Sequence, residues 1–294
     1  MDYTLPDIPH RRLSITFQAE QPARLPAYQG SMLRGGFGHA LRRLACSFGP
    51  QQNCADCPLC GACVYTRLFE TFVGEDPPPF LRGIDRAVRP YVFEPGEGPR
   101  ELAPGGLLRF DLLLFGQALE FQAYVLVALE RMAHNGLGAG RARFRLLRAE
   151  VVADPPAAPL PEGPVTLRFP TPLRLRVRHR FTDQLRFRDL AFAMLRRTLE
   201  MAHTHVPGAA VDWHFQPLLE KASQVRLLES DLRWHDWERW SERQQSAMKL
   251  GGLMGTATLE GDLAPFGSLL RMAEVIHVGK GATFGLGRVE ANPA

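Results

Sequence analysis

Lysine is almost missing from this chain. Of 35 basic residues only Lys221, Lys249 and Lys280 are lysines, leaving 32 arginines against 31 acids. The planar, permanently charged guanidinium suits phosphate better than an ammonium point charge does. A GC-rich coding sequence also writes arginine freely, and a formal net charge of +4 permits a polyanion partner without requiring one. No uninterrupted apolar run approaches the roughly 18 residues of a membrane span. The first residues, Met1 to Pro9 with Asp2 and Asp7, lack the basic-then-apolar layout of a secretion signal. These absences lead us to expect a cytoplasmic protein with no membrane partner. Cysteine is missing outside one short stretch holding Cys46, Cys54, Cys57, Cys60 and Cys63, which in a reducing compartment points to metal rather than disulfides. What is present excludes disorder as the main state: 294 residues at 45% hydrophobic can bury a core.

Hydrophobic periodicity predicts a strand over Arg11–Glu20, a helix over about Ala27–Cys46, strands near Val88–Phe93 and over Leu107–Phe115, a helix over Leu119–Asn135 and a strand over Arg141–Val152. Five prolines within 153–164 mark a linker. The order then repeats: a strand over Val165–His179, a helix over Phe187–His205, strands near Gln224–Trp240 and over Met248–Glu260, a helix over Leu263–Ile276 and a closing strand over Phe284–Glu290. Two β-α-β-β-α-β series predict an α+β chain of tandem ferredoxin-like (RRM-like) domains, each a four-stranded antiparallel sheet with two helices. The expected bounds are 1–152, with a cysteine-rich metal-binding insertion at about 46–70, and 165–294, with a glycine-rich loop at 279–287. A single larger α+β domain is the alternative.

The segment AYQGSMLRGGFGHALRRLAC (27–46) separates on a helical wheel. Leu33, Phe37, Ala40, Leu41 and Leu44 share one arc; Tyr28, His39, Arg42 and Arg43 lie opposite, with Tyr28 and His39 eleven residues apart and nearly eclipsed. A phenol, an imidazole and guanidiniums suit metal-free cleavage of an RNA phosphodiester, in which a base takes the 2′-hydroxyl proton and cations stabilise charge growing on phosphate. The plainer reading is a solvated face with an incidental histidine. Gly30, Gly35, Gly36 and Gly38 each weaken a helix by roughly 1 kcal/mol relative to alanine, which suggests a close backbone or ligand approach.

The segment HVGKGATFGLGR (277–288) places Gly279, Gly281, Gly285 and Gly287 around Lys280. Such a loop can offer backbone amides to a phosphate, although it matches neither a P-loop nor G-x-G-x-x-G; a simple glycine-rich turn is the alternative. The run CADCPLCGAC is C-x2-C-x2-C-x2-C with Cys46 upstream. Spacing favours a structural zinc on Cys54, Cys57, Cys60 and Cys63, with an iron–sulfur cluster as the rival. That metal is expected to staple an insertion too poor in apolar residues to fold alone. In RWHDWERWSER (233–243), Trp234, Trp237 and Trp240 interleave with arginine in a manner that can stack RNA bases; burial of some of these tryptophans in a core is the competing reading.

The sequence resembles the RAMP-superfamily CRISPR endoribonucleases, the Cas six group. The resemblance is carried by YQGSMLRGGFGHALRRL, CPLCGACVYTRLFE, RWHDWERWSERQQSAMKLGGLMG and above all the terminal HVGKGATFGLGRVE. It implies cleavage of precursor CRISPR RNA within repeats, with no catalytic cofactor, by 2′-hydroxyl attack giving 2′,3′-cyclic phosphate and 5′-hydroxyl ends. His39 corresponds to the family's general base. The resulting candidates are His39, Tyr28 and Arg42 for catalysis, and Arg34, Arg43, Gly279, Lys280, Gly281, Gly285, Gly287, Arg233, Arg239 and Arg243 for RNA. The resemblance favours Cys46, Cys54, Cys57 and Cys63 for the metal. Expected partners are repeat RNA and other subunits of a CRISPR effector complex. A non-catalytic guide-RNA-binding subunit of such a complex is the alternative function, and a metal-cluster redox protein is a third.

Overall fold

Strand β1 (His10–Ala19) buries Leu13, Ile15, Phe17 and Ala19, because alternate side chains of a strand point to the same side. The computed structural model describes residues 3–49, 51–74, 77–156, 163–236, 238–241 and 246–294, with only the backbone for 238–241 and 246–249. After β1 come α1 (Gly30–Ala45), β2 (Tyr91–Pro95), β3 (Leu107–Phe115), α2 (Gln122–Asn135) and β4 (Phe144–Val152). They form one four-stranded sheet, ordered β2-β3-β1-β4, with every pair antiparallel. Register sets Leu13 opposite Leu112 and Phe17 opposite Leu108. The apolar stripes of α1 (Leu33, Phe37, Ala40, Leu41) and α2 (Val125, Ala128, Leu129, Met132, Ala133) close over that face as a single core.

The second unit repeats the plan. Its elements are β5 (Val165–Leu173), α3 (Phe187–His205), β6 (Arg226–His235), β7 (Gly252–Glu260), α4 (Gly267–Ile276) and β8 (Glu290–Pro293), in sheet order β6-β7-β5-β8. Val165, Leu167, Phe169, Leu195, Leu199, Leu270 and Ala273 are all buried here, and Phe187 meets Phe266 edge-on at 4.9 Å. Both units therefore have the ferredoxin-like strand order. The first unit comprises Ile8–Asp154 and takes in Thr204–Pro207; the second holds the rest of the described chain. Of the proline-rich linker expected at 153–164, residues 157–162 lie outside the described residues.

Several boundaries differ from the periodicity. Helix α1 starts at Gly30, where the first ladder bond runs from the Leu33 amide to the Gln29 carbonyl at 2.9 Å, so Tyr28 is not helical. The expected strand over Val165–His179 stops at Leu173 because the chain turns into a small hairpin. The closing strand expected over Phe284–Glu290 begins only at Glu290. Gly285 and Gly287, at φ +86° and +67°, cannot join a strand ladder.

The cysteine-bearing insertion is anchored by aromatic packing. A π-turn over Thr66–Glu70 delivers Leu68 and Phe69, with Tyr65, into the first unit's core. Tyr65 stacks on Phe69 at 5.2 Å, and a Cβ on Gly38 would sit 2.2 Å from the Phe69 ring. The insertion therefore borrows the first unit's core through these three side chains.

Candidate functional site

Helix α1 turns three different faces to its surroundings. Gly36 and Gly38 are packing glycines, since a Cβ at Gly36 would meet Met132 Cγ at 2.9 Å and one at Gly38 would strike Phe69. Gly35 faces open space, with nothing within 4 Å of its would-be Cβ. One turn after Gly35 comes His39 and one turn further Arg43, both exposed, because residues four apart share a helix face. Arg43 lies in the last turn, where the helix dipole favours a cation. The site on this unit is thus an imidazole beside a guanidinium, with a glycine leaving room on the N-terminal side.

The other expected members of this face are placed differently. Tyr28 lies in the bend before α1. Even from Gly30 the nine residues to His39 rise about 14 Å, so eclipsing on a wheel does not bring Tyr28 to the same phosphate. Burial, and then the Glu94 carboxylate, push the Tyr28 phenol well above its ordinary pKa; Glu94 is itself ion-paired to Arg12 at 2.5 Å. Arg42 donates from Nη2 to the Gln52 carbonyl at 2.6 Å and lies 5.7 Å from the Tyr65 ring centroid. Arg34 sits 4.0 Å over the Phe69 ring. Both arginines therefore brace the insertion rather than line the His39 face.

The five cysteines lie at the end of α1 and along the insertion that follows it. Cys46, Cys54, Cys57, Cys60 and Cys63 are all free thiols, and among the described residues no three His, Cys, Asp or Glu side chains are gathered as a metal site. Electrostatically Cys54 senses Cys46 and Cys63, whereas Cys60 senses Cys57 and Cys63. Burial raises both Cys54 and Cys60 above the ordinary thiol pKa.

In the second unit the glycine-rich segment is a folded plug. All four glycines have positive φ, and Gly285 and Gly287 are buried. The amides of Val278, Lys280, Phe284, Gly285, Leu286 and Gly287 donate to carbonyls inside the unit, and that of Arg288 donates to Thr171 Oγ1 at 3.0 Å. Three of these bonds, Lys280 to Arg174, Gly287 to Pro172 and Arg288 to Thr171, hold the loop against the end of β5. What the loop presents is the Lys280 side chain, lowered from the ordinary lysine pKa by burial and then by Arg196 and Arg176. Arg176, on the arginine alternation after Leu173, and Arg196, on α3 and paired with Glu200, were passed over by motif reading and share a charged surface with Lys280; the alternation was the signal for Arg176 alone.

Arg233 is exposed and paired with Asp231 at 3.2 Å. Trp234 is exposed and donates to Asp236 at 3.0 Å, against burial in a core. The backbone of Arg239 pairs within a short hairpin, Glu238–Ser241 with Ser246–Lys249; the side chains of Arg239 and Trp240, and all of Trp237 and Arg243, lie outside the described residues.

Two ferredoxin-like units in one chain, the second carrying a glycine-rich plug before its last strand, define a tandem ferredoxin-like protein. A family model described as an N-terminal domain (AF_1859_N) matches residues 8–164, more than half of the chain, and the model for CRISPR-associated endoribonuclease Cas6 matches residues 167–289. The chain thus joins an AF_1859_N-type first unit to a second unit that matches the Cas6 family. Among solved structures, a Cas6 product complex is similar with a TM-score of 0.62 and 21% identity over 97% of this chain and 100% of that one. Thermus thermophilus Cas6 is similar at 0.55 and 17%, covering 97% of this chain and 99% of that one. A RAMP protein described as binding different RNA substrates follows at 0.52 and 11%, covering 96% and 100%. An uncharacterized Archaeoglobus fulgidus protein is 29% identical over 115 residues, 39% of this chain; the match spans only 37% of that relative's length. No helix among the described residues is long and apolar enough to cross a membrane.

Proposed function

We propose that the protein is an endoribonuclease that cuts CRISPR precursor RNA within its repeats without a catalytic metal. The observation that carries this reading is the exposed His39 with Arg43 one turn along and open space at Gly35. His39 takes the proton of a 2′-hydroxyl as the 2′-oxygen bonds to phosphorus. The bond from phosphorus to the 5′-oxygen breaks, that oxygen takes a proton from solvent, and a 2′,3′-cyclic phosphate and a 5′-hydroxyl remain. Arg43 supports the charge growing on the phosphoryl oxygens. Arg42 and Tyr28, engaged elsewhere, act on position rather than on chemistry.

Incubating the full chain with labelled repeat RNA in excess EDTA tests this. A single cut whose 5′ fragment gains a phosphate-free 3′ end only after cyclic-phosphate removal is the expected result. Intact RNA that is bound but never cut would favour the non-catalytic guide-RNA subunit instead.

Lys280, Arg176 and Arg196 supply phosphate contacts in this reading, and Lys280 gives them a pH signature. Its neighbours disfavour the charged form, whereas a bound phosphate favours it, so binding raises its pKa. Repeat-RNA affinity should therefore decline as pH rises through the depressed pKa of the free protein, before the ordinary lysine value of 10.5 is reached. Lys280→Ala should flatten that decline and lower the salt slope of binding by about one unit or slightly less. Equal pH profiles for wild type and variant would remove Lys280 from the contact.

A further inference from the structure

Between β5 and α3 the chain reads RLRVRHRF over 174–181, with four arginines, one histidine and no acid. It forms a hairpin in which Arg176–Val177 pairs with Arg180–Phe181, closed by the Arg176 guanidinium donating to the His179 carbonyl at 2.9 Å. The two tip residues, Arg178 and His179, have φ of +49° and +67°. Two-residue turns of this kind normally take Asn-Gly or Asp-Gly, because residues with larger side chains are strained there. Easy turning therefore does not explain this tip; two exposed cationic or polar side chains at the end of a ribbon do.

Phe181 is 43% exposed although its ring has apolar area to bury. Arg174 lies 4.5 Å and Arg176 5.7 Å from its centroid, so the ring is held in place by cations and still open to solvent. The hairpin is also continuous with the glycine-rich plug, since the Lys280 amide donates to the Arg174 carbonyl at 3.0 Å.

We infer that this hairpin is a second RNA-contacting element, in which Phe181 stacks an unpaired base while Arg178 and Arg180 hold the flanking phosphates. This rests on the proposal that the protein acts on RNA. An aromatic face set among fork-shaped cations fits single-stranded nucleic acid: every base has a π-face to stack, and the backbone supplies the anions. The absence of any acid in the ribbon excludes a basic partner.

The probe is a fluorescein-labelled oligouridylate of about 12 nucleotides, within the span that single-strand sites take, titrated by anisotropy into the full chain across a salt series. Phe181→Ala should raise Kd about 5- to 100-fold with an unchanged log–log salt slope, and Phe181→Trp should bind as wild type does. The double variant Arg178→Ala, Arg180→Ala should instead flatten the slope by about 1.4, since each phosphate contact on a single strand contributes roughly 0.7. Thermal melts matching wild type show that these surface changes leave the fold intact. Wild-type affinity in Phe181→Ala, or a wild type that cuts repeat RNA yet ignores oligouridylate, overturns the inference and leaves the ribbon to an acidic protein surface. Oligouridylate bound through Phe181 by a protein that cuts no repeat RNA keeps the platform and removes the proposed reaction.

Discussion

His39→Ala should slow repeat-RNA cleavage by about 100-fold or more, the usual scale for losing a general base, while repeat-RNA affinity stays within about twofold of wild type. The two readouts separate because His39 is exposed on α1 and supports no core packing, so its removal leaves Leu33, Phe37 and Leu41 in place. Single-turnover rates at saturating enzyme isolate the chemical step from binding. Arg43→Ala should lower the same rate less, because a cation on the helix surface is partly replaced by water and salt. A His39→Ala protein that cuts at the wild-type rate would move the base to another residue and leave the helix face as solvated surface.

Gly287→Val should destabilise the second unit by about 2–5 kcal/mol, the sum of a positive-φ penalty of about 1–2 kcal/mol and about 1–3 kcal/mol for the displacement of packed backbone. Gly287 sits at φ +67°, and a Cβ there would lie 1.8 Å from the Val278 carbonyl oxygen, which no rotamer can relieve. The substitution also disturbs two hydrogen bonds, Val278 amide to Gly287 carbonyl at 2.8 Å and Gly287 amide to Pro172 carbonyl at 3.0 Å. Urea unfolding followed by a probe in the second unit measures the loss. Gly35→Ala is the contrast, because its helical position is open; it should gain up to about 1 kcal/mol from helix propensity. Equal midpoints for wild type and Gly287→Val would mean that the plug is not the folded element described above.

The repeated β-α-β-β-α-β plan was legible because each unit shows one face to a core. Leu13, Ile15 and Phe17 alternate, and the stripes of α1 and α2 recur every three or four residues. His39 was legible as an outward residue for the same reason. The partners of Arg34 and Arg42 were not, because a wheel reports direction from one helix axis and says nothing of a segment such as 63–70 that folds back over it. Spacing likewise left two cysteine sets open, because regular intervals in the chain do not fix where the sulfurs meet once Leu68 and Phe69 take their places in the core. The four glycines at 279–287 were correctly singled out as a loop, yet their role follows from positive φ and inward packing, which composition does not distinguish from an open amide nest.

The contact between Gly38 and Phe69 gives the segment around His39 an uneven tolerance to change over evolutionary time. Gly36 and Gly38, three and one positions before the histidine in sequence, are fixed by steric contact with Met132 and Phe69, so lineages that keep those side chains keep those glycines whatever RNA they meet. Gly35 and Arg43, on the exposed face, are free of that constraint and can drift with the ligand. A block of invariance around His39 would thus mix two kinds of selection, for the shape of the interior and for the chemistry outside it. Only the outward positions would follow a change of repeat.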